Sequence, residues 1–289
     1  PLLSPELYGV SLGKLICLST QWVLQSFWVP CWVISTEFQS FLSSVGGLLC
    51  RKPMTSLRIE KMKKPKRIVV LGANGMLGNA VLRFLAKNPD YAVHGTVRNW
   101  SAVRELQHMA PAARFVPGVD VESLDSLTRM FATVQPDLVI NCIGIVKQLA
   151  DANDPLIALP INALLPHRLA RLAQVAGARL VHMSTDCVFS GGKGNYVESD
   201  LPDAYDLYGR SKLLGEVDYP NAITLRTSII GHELAGNRSL IDWFLSQTGE
   251  VQGYKNAIFS GLPTVEIARI IHDHVVPNPD LHGLYHVSA

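Results

Sequence analysis

Residues 67–86 read RIVVLGANGMLGNAVLRFLA. Arg67 to Leu71 is a short apolar run, Gly72 to Gly78 a glycine-spaced turn, and Asn79 to Ala86 an amphipathic segment. Strand, tight turn and helix in that order make a dinucleotide site. The glycines let backbone approach a pyrophosphate, and the helix amino-terminus faces its charge. The spacing is G-x-x-G-x-x-G rather than G-x-G-x-x-G. Its place between a β run and a helix, more than the glycines themselves, carries the reading. Gly72, Asn74, Gly75, Met76, Leu77 and Gly78 are the expected cofactor contacts.

The same alternation continues. Tyr91 to Val97 reads as a second strand, and Arg98 follows it twenty residues past Gly78. An NAD-preferring site usually places an acid there, whereas a guanidinium can clamp a 2′-phosphate. NADPH is therefore the expected cofactor, with NADH the alternative, and Arg104 stands close behind. Ala113 to Pro117 suggests a third strand leading to Asp120 and Val121, where the carboxylate suits an adenine amino group. Pro136 to Gly144 is a fourth strand whose last residues, Cys142, Ile143 and Gly144, are expected beneath a nicotinamide ribose. A helix over 155–176, strands at 179–183 and 222–227, and a helix carrying Tyr208 complete the pattern. Strands alternating with helices predict an α/β fold, a Rossmann-like doubly wound parallel sheet with its ligand at the carboxyl ends.

Ser184, Thr185 and Asp186 end the fifth strand, and Tyr208 and Lys212 lie one helical turn apart on one face. Of eight tyrosines, Tyr208 alone has a lysine four positions on. An ammonium there would favour phenolate and lower the phenol pKa. A Thr185, Tyr208, Lys212 set can donate a proton to a carbonyl oxygen as hydride reaches its carbon.

The formal charge of +2 shows no basic face and argues against a nucleic-acid partner. Five cysteines (Cys17, Cys31, Cys50, Cys142 and Cys187) without a pairing pattern suggest free thiols and a cytoplasmic setting. His272-Asp-His274 sets alternate residues on a helix, which point apart, so no metal site is expected. Residues 1–61 lack a steady period; Leu15 to Thr36 is uncharged but broken by Gln21, Gln25, Ser26 and Pro30. They read as a leader outside the fold, upstream of a natural start at Met62, with a membrane anchor as the alternative. The expected domains are then 62–228 for the dinucleotide and 229–289 for a smaller substrate-binding portion, cut short at its carboxyl end.

From Met62 onward the chain resembles the extended short-chain dehydrogenase/reductases, and within them the dTDP-4-dehydrorhamnose reductase group. The matching pieces are GANGMLG (72–78), STDCVFSG (184–191), YGRSKLLGE (208–216), LRTSIIG (225–231) and GLPTVEIA (261–268). The resemblance implies that Tyr208 protonates the keto oxygen, that Lys212 lowers its pKa and holds the nicotinamide ribose, and that Thr185 hydrogen-bonds the reacting oxygen. It implies reduction of a 4-keto group on a nucleotide-linked 6-deoxy sugar, with Asn162, Asp186 and Arg226 on the substrate side. The expected partner is that keto sugar, with no membrane for the catalytic domain; a homodimer is left open. Cys187 stands where the group often has an aromatic, and Ile145-Val-Lys-Gln148 differs from its Ala- and Thr-rich loop. An epimerase of the same superfamily and a non-catalytic NADP-binding regulatory subunit are the competing readings. A dehydratase is disfavoured, because Cys187 stands where that chemistry needs an acid.

Overall fold

The run at 67–71 is strand β1 (Lys66–Leu71), and its side chains divide between two cores. Ile68 and Val70 enter one, Val69 and Leu71 the other. A strand buried on both faces needs a continuous apolar run rather than alternation, which is what the sequence shows. The computed structural model describes residues 64–147 and 150–289. The leader and anchor readings of 1–61, together with Cys17, Cys31 and Cys50, lie outside the described residues. No helix among the described residues is long and apolar enough to cross a membrane.

Helix α1 (Met76–Leu85) buries Leu77, Val81, Leu82 and Leu85, the helical spacing of an apolar stripe. Then come β2 (Tyr91–Val97), α2 (Ser101–Met109), β3 (Arg114–Pro117), α3 (Leu124–Val134) and β4 (Leu138–Asn141). Helix α4 has three contiguous parts, α-helical Pro155–Ala158, π-helical Leu159–Leu164 and α-helical Leu165–Val175. Asp154 caps it and Pro155 opens it. Pro160, which has no amide to donate, sits where the turn widens. Strand β5 (Arg179–Ser184), helix α5 (Leu207–Leu214) and strand β6 (Ala222–Arg226) follow.

The sheet order is β3-β2-β1-β4-β5-β6 plus a seventh strand, β9 (Gly283–His286), all parallel. Connections leave β1 towards one edge and β4 towards the other, which opens the crevice between their carboxyl ends.

The carboxyl-terminal part departs from the expected separate portion at 229–289. Helix α7 (Thr264–Ile270, continued as a π turn through Val275) packs on α1, with Ile267, Ala268 and Ile271 in the same core as Ile68. With β9 in the main sheet, 264–289 belongs to the nucleotide fold. What remains outside it is 229–263, with β7 (Ile229–Ile230), α6 (Leu240–Leu245) and β8 (Leu262–Pro263), the last paired with β7. A four-residue strand after a helix reads the same in either place, so its sequence does not assign it to the main sheet.

Candidate active site

Gly72 turns the chain at φ +78, in the left-handed region that favours glycine. A Cβ on Gly78 would stand 2.1 Å from the Gly72 carbonyl oxygen, so only glycine lets α1 start this close to the strand. Gly75 caps α1 without a side-chain bond, and no acid occupies the first turn. These amides are left for an anion to satisfy. The cradle fits a dinucleotide pyrophosphate.

At the adenosine end, Arg98 is exposed directly after β2. Asp120 is also exposed, but three residues beyond β3 rather than at its tip. Its Oδ1 accepts from the Glu122 amide at 3.0 Å, and Val121 turns inward to the core. Val121 therefore offers backbone only.

After β4 the chain passes Cys142, Ile143 and Gly144. A Cβ on Gly72 would stand 2.9 Å from Ile143 Cγ1, and one on Gly144 3.9 Å from Lys212 Nζ. The two turns and the lysine thus lie side by side. Burial pushes the Cys142 thiol up to about 12, so it is no nucleophile at neutral pH.

Thr185 follows β5, with the Tyr208 phenol beside it, and Lys212 stands one turn further along α5. Thr185, buried, accepts from the Cys187 amide at 3.1 Å and donates to Asp186 Oδ1 at 3.3 Å, and its hydroxyl lies near enough to the Tyr208 phenol to favour ionisation. Asp206 caps α5 by accepting from the Gly209 amide at 2.7 Å, which starts the helix one residue before Tyr208. Gly209 lies so near the Cys187 carbonyl that a Cβ would stand 2.3 Å away, and this presses the helix onto the strand end. Burial raises the phenol to about 12, against the Thr185 hydrogen bond, and Cys187, Asp186 and Asp206 push it the same way. Lys212, buried, donates to the Met183 carbonyl at 2.6 Å. Burial lowers its ammonium to about 8, although Glu216 favours the charge. This corrects the expected lowering of the phenol by Lys212. The ammonium is drawn to a strand carbonyl, and desolvation governs both groups.

Two residues expected on the substrate side are bonded within the protein. Asn162, on the π segment of α4, accepts from the Ile145 amide (2.8 Å) and donates to the Ile145 carbonyl (3.1 Å) and Ser211 Oγ (3.2 Å). It fastens the loop after β4 to α5. Arg226 grips Glu216 with two bonds of 2.8 and 2.7 Å, meets His286 Nε2 at 3.2 Å and lies over Phe189. Both side chains are buried, with their donors engaged by the scaffold. Asp186 is held by Ser228 Oγ at 2.6 Å and remains partly open.

Sequence reasoning missed three residues. Glu216 binds Arg226 and Ser184 Oγ (2.7 Å); its signal was an acid four positions after Lys212. Lys147 reaches Asp206 at 2.9 Å, where its ammonium is favoured by that carboxylate. His182, wholly buried in β5, contacts Asn141, and nothing in the sequence marks it.

Residues 66–289 match the model of one family, the RmlD substrate binding domain. Among curated proteins, the chain is 32% identical over 166 residues to the probable low-salt glycan biosynthesis reductase Agl14 of Haloferax volcanii, covering 56% of this chain and 52% of the relative. It is 30% identical over 152 residues to methionine adenosyltransferase 2 subunit beta of Rattus norvegicus, covering 52% and 42%. The chain spans about half the length of these curated relatives. Among solved structures, a hypothetical dTDP-4-dehydrorhamnose reductase from Sulfolobus tokodaii superposes with a TM-score of 0.63 at 25% identity, covering 78% of this chain and 76% of that one. The glycine cradle, the sheet order and the match over nearly all described residues agree: the chain belongs to the RmlD substrate binding domain family.

Proposed function

We propose that this protein is an NADPH-dependent reductase of a keto group on a nucleotide-linked sugar, with dTDP-4-dehydrorhamnose the favoured substrate. The observation that carries the reading is Tyr208 beside Thr185 on α5, with Lys212 one turn on and close to Gly144, which follows the strand packed on the Gly72 turn. The cofactor would lie along Gly72, Gly75 and the amino-terminus of α1, with Arg98 toward its 2′-phosphate, and would supply the hydride. A phenol held at about 12 keeps its proton at neutral pH. It yields that proton to the alkoxide that forms as the keto carbon is reduced, because an alkoxide is the stronger base. Thr185, beside the phenol, can turn its hydroxyl from Asp186 to the reacting oxygen, and solvent later restores the Tyr208 proton. The segment 229–263 would bring the sugar over the site, and Asp186 remains the substrate-facing acid.

A non-catalytic subunit is the second reading, favoured by the similarity to a protein named as a subunit. NADPH absorbance, followed with dTDP-4-dehydrorhamnose, a UDP-linked 4-keto sugar and no sugar, separates the two. Consumption with the dTDP sugar alone supports the reductase as stated, and consumption with only the UDP sugar moves it to another nucleotide. NADPH binding without consumption leaves the subunit reading in place.

A further inference from the structure

His182 is wholly buried in the middle of β5, flanked in register by Asn141 of β4 and Thr224 of β6. Its Nδ1 lies 3.2 Å from Asn141 Nδ2. Asn141 is buried too, and its Oδ1 accepts from the Ile143 amide at 3.1 Å. That second bond decides the first. A backbone N–H must face an oxygen, so the amide nitrogen faces the ring, and the ring nitrogen receiving it must carry a lone pair. The imidazole is therefore neutral, with its proton on Nε2. Burial beside Lys212 and His167 holds the ring's pKa well below the ordinary value, in agreement.

Nε2–H has no hydrogen-bond partner among the described residues. An apolar side chain at 182 would leave no such donor unmet, so the histidine's contribution lies at the other nitrogen. That nitrogen acts on Asn141, and Asn141 on Ile143. Ile143 presses against the Gly72 turn, while Gly144 borders Lys212.

We propose that His182 is a positioning residue: its Nδ1 lone pair holds the Asn141 carboxamide on the Ile143 amide and so fixes the Cys142–Gly144 turn between the Gly72 turn and Lys212. The consequence for NADPH rests on the function proposed above; the consequence for the turn does not.

The test uses the full chain with His182→Leu and His182→Asn. Asparagine places Oδ1 where the ring has Nδ1, whereas leucine fills more of the space and accepts nothing. Hydrogen exchange at the Ile143 amide should quicken about tenfold in His182→Leu and stay near wild type in His182→Asn, the loss of one buried hydrogen bond. Thermal stability should rank the other way, with leucine the better apolar filler. A merely structural histidine would make both measurements favour leucine, and equal exchange in the two variants would also overturn the proposal. The NADPH dissociation constant should rise about tenfold in His182→Leu alone, from the same lost bond. Should wild type bind no NADPH, the functional reading fails and the exchange ranking still decides this one. Nitrogen NMR of the wild-type ring needs no variant: a proton found on Nδ1 sinks the proposal.

Discussion

Replacing Arg226 by Met should unfold this protein more readily without acting through the substrate. The guanidinium and the Glu216 carboxylate are 6% and 9% exposed and joined by two short bonds, so neither charge is solvated as it would be at the surface. Removing one member of such a pair leaves the other buried and uncompensated, at a cost of about 3–5 kcal/mol. Here Ser184 Oγ would still donate to Glu216, and the Lys212 ammonium interacts with the same carboxylate. Both soften the loss, which places the expectation near the lower end, about 3 kcal/mol. Urea denaturation of wild type, Arg226→Met, Glu216→Leu and the double variant measures it. The double variant should lie within about 1–2 kcal/mol of wild type, because the isolated charge goes with its partner. A single variant within about 0.5 kcal/mol of wild type would refute the reasoning, since that is the behaviour of an exposed pair. A substrate contact would show the opposite signature: a raised KM with an unmoved midpoint.

Five further outcomes follow from the geometry. Lys212 has its pKa lowered to about 8 from an ordinary 10.5, so between those pH values the unfolded chain binds more protons and stability rises with pH. The melting temperature of wild type relative to Lys212→Met should climb across that window, and a flat difference would contradict the burial argument. Gly78→Ala drives a Cβ to 2.1 Å from a backbone oxygen and should cost at least about 1–3 kcal/mol by urea melt. Gly192→Ala, with its nearest neighbour at 3.5 Å, should be nearly silent. Tyr208→Phe should abolish sugar-dependent NADPH consumption while calorimetry still shows NADPH binding; retained turnover would remove the phenol from the chemistry. Arg98→Ala should weaken NADPH more than NADH by fluorescence titration, and equal weakening would remove the basis for the cofactor choice.

The nucleotide fold was legible because its signals are local. The apolar run at 67–71 and the glycines at 72, 75 and 78 are contiguous, and the strands at 91–97, 138–141, 179–184 and 222–226 each carry their own apolar residues. Strand β9 was not legible as a sheet member, since its four residues gain their place only from the edge of β6. Asn162 and Arg226 were legible as polar residues near the site but not as scaffold. Their partners, Ile145, Ser211, Glu216 and His286, reach them only after three elements have packed.

The sign of the phenol's shift shows where spacing stops informing. A spacing of four puts Tyr208 and Lys212 on one face of α5, and from that alone a cation beside the phenol predicts a lowered pKa. Depth reverses the sign. Gly209 lets the helix settle against the Cys187 carbonyl, and Lys212 donates to the Met183 carbonyl. Burial then moves the two groups toward neutrality from opposite sides, the phenol to about 12 and the ammonium to about 8. Glu216 is the acid that most favours the lysine's charge, and Arg226 and Ser184 hold it in place. The buried pair therefore does more than fasten β6 to α5. Glu216→Gln removes the charge that opposes desolvation of Lys212, and the ammonium must fall further below about 8. The pH window of the Lys212-dependent stability should widen downward in that variant. If it stayed where wild type has it, Glu216 would be acting on Arg226 alone.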